Sequence, residues 1–150
     1  MFKIRKDAET WFRKIADKPP IKTKFDLYYM CLMLGIKNGR LDSVADGSDV
    51  YLKFPQEYEG SRFLVIGLLI AAEMKREGLD FSDRELVQEM LARYVATDVP
   101  ANLSAEGFKK ANSYASGGFD VLSNAIQDSP EDVNVFLALY TKLMAEADAG

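Results

Sequence analysis

A chain of 150 residues, 48% hydrophobic and 28% charged, has the length and balance of one globular domain with a real core. It holds no histidine and a single cysteine, Cys31, which excludes a disulfide framework, imidazole-based acid–base catalysis and structural zinc sites of the histidine–cysteine kind. Net charge is −4, yet residues 1–40 carry +6 and residues 41–150 carry −10, a split that suits two different partners or an oppositely charged copy of the chain itself.

The opening Met1-Phe2-Lys3-Ile4-Arg5-Lys6 has no signal-peptide pattern, and with the lone cysteine it points to the cytoplasm. Residues 7–16 read as a first helix, with Ala8, Trp11, Phe12 and Ile15 on one stripe. Pro19-Pro20 stops it. Thr23 and Asp26 then have the spacing of a capping box. The following residues, 25–36, are almost all apolar and predict a second, deeply buried helix that ends in a turn at Asn38-Gly39. Cys31 sits among these residues as a core thiol. Residues 41–58 are irregular. Asp46-Gly47 before Val50-Tyr51-Leu52 predicts a small β-hairpin there, and Asp42, Asp46 and Asp49 lack the ligand spacing of a calcium loop.

Residues 61–78 form the stretch around which the rest is expected to organise. Phe63 to Ala72 carry no charged or hydrogen-bonding side chain, so the helix should be buried on every side. Ten such residues fall short of the roughly 20 that a membrane span requires. Gly67 costs about 1 kcal/mol in mid-helix, which predicts close crossing by another helix. Ser82 and Glu85 form a second capping box ahead of an apolar face of Leu86, Val87, Met90, Leu91, Tyr94 and Val95. Ser104 caps a helix running to about Ile126, with Gly117-Gly118 marking a break, a kink or a close backbone approach. Ser129-Pro130-Glu131-Asp132 starts a last helix, which frays from Glu146 onward. The expected fold is therefore all-α: one domain over residues 1–150, a bundle of about six helices around the buried 61–78 helix, and one small hairpin in 41–58.

Chemical motifs are scarce. Phosphate loops, nucleophile elbows, dinucleotide fingerprints and metal-ligand pairs are absent, so no catalytic residue, cofactor or metal is expected. Glu73 and Glu77, one turn apart, could bind a metal or trade protons, but Lys75 and Arg76 beside them fit a helix end meeting solvent. Basic residues flank the second helix in two patches about 18 Å apart: Lys22 and Lys24 before it, Lys37, Asn38 and Arg40 after it, with Lys18 further upstream. Either patch could meet nucleic-acid phosphate or an acidic protein. The pI of about 4.9 and the lack of a polar face argue against direct DNA reading. Tyr114, Gly117 and Gly118 are a further candidate contact, the competing role being a helix crossing inside the domain.

Two pieces taken together, Lys24-Phe25-Asp26-Leu27-Tyr28 with Leu34-Gly35 and Gly39-Arg40, then Tyr114-Ala115-Ser116-Gly117-Gly118-Phe119, resemble small proteins encoded beside Dnd-type DNA phosphorothioation systems. The motifs are short and cover about a quarter of the chain. Ser116 stands where that family would have asparagine. The resemblance implies a bacterial cytoplasmic accessory protein of a DNA-modification or anti-phage defence assembly, and no catalytic residue. The expected function is a non-enzymatic adaptor working by protein contacts. A protein partner is expected, no membrane is involved, and both DNA contact, direct or through a complex, and self-association are open. The alternative is a nucleic-acid-binding module using residues 18–40.

Overall fold

A computed structural model of the chain describes residues 1–146. The fold begins with a strand that the helical reading overlooked, β1 (Phe2–Arg5). Its alternation turns Phe2 and Ile4 into the core and leaves Lys3 outside. There follow α1 (Lys6–Phe12), α2 (Lys24–Asn38), β2 (Gly47–Tyr51), the single-turn α3 (Gln56–Glu59), α4 (Arg62–Glu77), α5 (Arg84–Tyr94), α6 (Ala105–Ile126) and α7 (Val133–Ala145). All six expected helices are present, and α3 is additional. The first is shorter than its pattern: the chain leaves α1 after Phe12, although Ile15 is still fully buried. The expected fraying falls, from residue 147, outside the described residues.

The strand expected in 41–58 exists, but it does not close a local hairpin. β2 pairs antiparallel with β1, setting Ile4 opposite Ser48 and Arg5 opposite Gly47. The physical reason lies in Phe2. Its ring packs within 5.0–5.3 Å of the Phe25, Tyr28, Phe54 and Phe108 rings, which anchors the start of the chain and offers β2 a strand edge. A second aromatic group, Trp11, Phe12, Phe119 and Phe136, seats α1 and α7 against α6.

At the centre stand α2 and α6, rather than α2 and α4. Three glycines make this possible. A Cβ at Gly35 would press into the Tyr114 carbonyl, one at Gly118 into the Cys31 carbonyl, and one at Gly117 into the Arg40 carbonyl. Backbones at that distance leave no room for side chains, so the tightest pairing goes to the helices with glycine on the facing ridge. Despite Gly117-Gly118, α6 is unbroken over 22 residues. Packing therefore offsets the helix-propensity cost of roughly 2 kcal/mol for the pair.

Side-chain caps fix the starts of α2, α5, α6 and α7. Thr23 Oγ1 accepts from Asp26 N at 3.4 Å while Asp26 Oδ2 accepts from Thr23 N at 3.0 Å, the expected capping box. Ser104 Oγ accepts from Gly107 N at 3.0 Å. The cap of α5 is Asp83 in place of Ser82, and that of α7 is Asp132 in place of Ser129. In both cases one aspartate oxygen accepts from two backbone N–H groups of the first turn, Glu85 and Leu86 in α5 and Asn134 and Val135 in α7. Among the described residues, no helix is long and apolar enough to cross a membrane.

Candidate functional site

The basic residues around α2 are unequal. Lys24 Nζ is drawn inward, at 2.7 Å from Ser48 Oγ, 3.0 Å from the Asp49 carbonyl and 3.0 Å from Glu9 Oε2. It ties the start of α2 to α1 and β2, so its charge is largely neutralised within the fold. Lys22 is exposed, and its backbone N–H donates to Asp26 Oδ2 at 2.8 Å. At the far end, Lys37 Nζ donates to the Glu146 carbonyl at 2.5 Å, Asn38 Nδ2 donates to the Leu34 carbonyl at 2.9 Å, and Arg40 is exposed. The 15 residues of α2 keep the two ends about 22 Å apart.

Tyr114, Gly117 and Gly118 are buried in the α2–α6 crossing, the competing role weighed for them. The motif residues that carry the family resemblance fall largely on this same crossing, including Tyr28, Leu34 and Gly35 of α2.

Tyr114 also reaches Glu73, the first member of the carboxylate pair. Glu73 is fully buried. Its oxygens accept from Arg76 at 3.0 and 2.8 Å and from the Tyr114 hydroxyl at 2.7 Å, with Lys110 Nζ at 3.4 Å. Burial raises its pKa. Hydrogen bonds from Arg76 and Tyr114 and the charge of Lys110 outweigh that and hold the carboxyl below its ordinary value. Glu77 lies outside and pairs with Arg76 at 3.6 Å. So the two carboxylates play separate parts, and Glu73 is an anchored anion rather than a helix end meeting water. Sequence spacing did not show this, because Tyr114 and Lys110 arrive from another helix. Beside the network lies a cleft of about 470 Å³ whose lining mixes Glu77 and Glu106 with Arg93, Lys109 and Lys110. Among the described residues, no group of three or more acidic or cysteine side chains is placed to hold a metal.

A second charged cluster, absent from the sequence expectations, closes the β1 end. Arg5 meets Asp7 at 2.6 Å, Asp120 at 2.6 Å and Asp42 at 3.6 Å, and its guanidinium lies 5.1 Å from the Phe119 ring centroid. Burial, then a hydrogen bond shared with Asp42, raises the Asp120 pKa, while that same bond lowers Asp42. A cleft of about 540 Å³ nearby is bordered by Met1, Val44, Phe108 and Asn112. The Asn112 amide is already spent: Oδ1 accepts from Tyr28 at 2.8 Å and from Lys3 N at 2.9 Å, and Nδ2 donates to the Met1 carbonyl at 3.2 Å.

The largest departure from expectation is on α4. Its inner face is buried through Val65, Ile66, Leu69, Ile70, Glu73 and Met74. Its outer face is open, with Phe63 at 61% and Leu64 at 66% exposure, Gly67 exposed, and Leu68 and Ala71 half-buried. A Cβ at Gly67 would meet nothing within 4 Å, so among the described residues no helix crosses there. The helix expected to lie at the centre is thus a rim helix, and what was read as its second buried side is a strip of apolar surface. Comparison with protein-family models, with curated proteins and with solved structures finds no match for this chain.

Proposed function

We propose that the chain is a non-enzymatic accessory protein that works by binding another protein chain through the outer face of α4. The setting proposed is the bacterial DNA-modification or defence assembly that its α2 and α6 motifs resemble. One observation carries the contact reading: Phe63 and Leu64, adjacent large apolar side chains, stand 61% and 66% exposed on a helix anchored along its whole inner face. Covering each would contribute about 1–2 kcal/mol, and apolar patches held on rigid elements are where protein partners dock. The polar features give less support to ligand chemistry or nucleic-acid binding. Lys24, Asn112 and Glu73 are each committed to internal partners.

The test is co-purification from cells that encode the chain natively, with the wild type and a Phe63→Glu/Leu64→Glu variant as baits. The expected result is a defined protein recovered near stoichiometry by the wild type and at least about tenfold less by the variant, with the helical signal of both baits equal. Equal recovery by the two baits, or none by either, overturns the reading.

A further inference from the structure

We infer that the outer face of α4 pairs with the same face of a second copy of this chain, the two helices running antiparallel across a twofold axis at Gly67 and Leu68. The inference rests on the reading of α4 as a contact surface and names its partner. The face is asymmetric in size along its length. Bulk is concentrated at one end in Phe63 and Leu64, and at the other the face carries the small, half-buried Ala71. A twofold antiparallel pairing lays Leu64 over the second copy's Ala71 and Leu68 over its Gly67. Large then meets small at both steps, and each contact occurs twice. The absence of a side chain at Gly67, which nothing within this fold uses, admits the facing Leu68.

Charge runs the same way. Glu57 and Glu59 are exposed just ahead of α4, and Lys75 and Arg76 lie in its last turn. Arg62 at the acidic end bonds Glu59 at 3.5 Å and lies 4.6 Å from the Phe63 ring centroid; Glu77 at the basic end pairs with Arg76. Each end keeps its surplus sign: Glu57 at one, and at the other Lys75, for which no ion pair is seen among the described residues. A parallel pairing would set acid on acid and base on base. The antiparallel one sets acid against base and opposes the two helix dipoles. One helix face is smaller than the roughly 800 Å² per partner of a stable interface, so the expected association is weak and concentration-dependent.

Sedimentation of the purified chain from about 1 to 300 μM tests this, with three variants. The wild type should pass from monomer to dimer. Leu64→Glu should weaken the dimer at least about tenfold. Glu59→Lys and Lys75→Glu should each weaken it several-fold when alone, and an equimolar mixture of those two should recover wild-type affinity, because each copy then faces its opposite at both ends. A parallel dimer would leave each charge variant as tight as the wild type, and that result overturns the inference. So does a chain that stays monomeric throughout. If such a monomer still recovers another protein in a Leu64-dependent manner, self-pairing fails while the contact reading stands; if it recovers none, both fail.

Discussion

Adding one methyl group at Gly118 probes the packing that fixes everything else. An alanine Cβ there would lie 2.8 Å from the Cys31 carbonyl carbon and 2.7 Å from Gly35 N, and closer still to the Cys31 oxygen. All three are backbone atoms, so no rotamer change relieves the clash. The helices must part by roughly 0.5–1 Å, which forfeits a quarter to a half of each dispersion contact across the seam. Overpacking of this kind costs about 3 kcal/mol or slightly more, and the better helix propensity of alanine returns about 1 kcal/mol. The net loss of about 2–3 kcal/mol corresponds to a midpoint lower by about 5–10 °C in a chain of this size. Gly67→Ala is the internal control. It gains the same propensity with nothing in its way, so in dilute solution it should raise stability by about 0.5–1 kcal/mol. Urea titration followed by circular dichroism measures both. Two glycine-to-alanine changes that move stability in the same direction would refute the crossing.

Phe2→Ala should cost about 3–5 kcal/mol, since its ring is 1% exposed and touches four others; a thermal midpoint within a degree or two of wild type would contradict the anchoring role of β1. The Glu73 carboxyl is depressed in the folded state, so the stability it contributes is complete above its ordinary value of 4.5 and is lost as pH falls below that. Glu73→Gln should therefore be less stable than wild type near neutrality, with urea midpoints converging in acid; parallel pH profiles would argue against the network. Cys31 is fully buried with its thiol pushed up to about 12, so a thiol reagent should label it only on unfolding, and rapid labelling of the native chain would mean α2 is not packed as described.

Helix existence was legible in the sequence because apolar periodicity and capping residues are local signals. Thr23 with Asp26 and Ser104 with Gly107 act as their spacing implies. The centre was not legible by the same means. Apolar composition says which residues tolerate burial, not which are buried, and α4 is apolar around its circumference while buried on one side only. The central helix is instead α6, whose Gly, Ala, Ser and Asn residues look unremarkable by hydropathy but permit the closest approach. The Gly117-Gly118 pair was the available sign, and a crossing was one of its two meanings. β1 was hidden because its partner lies more than forty residues along the chain, and the burial of Glu73 because it depends on Tyr114.

Paramagnetic cosolute broadening of side-chain methyl signals tests the central claim most directly, because it reports which helix is inside and which face is open. In dilute solution Leu64 should broaden strongly while Leu34, Leu69 and Leu122 stay sharp, and Leu64 should become protected as concentration rises. A Leu64 signal as protected as Leu69 at every dilution would place α4 in the interior and contradict both the fold and the contact surface built on it.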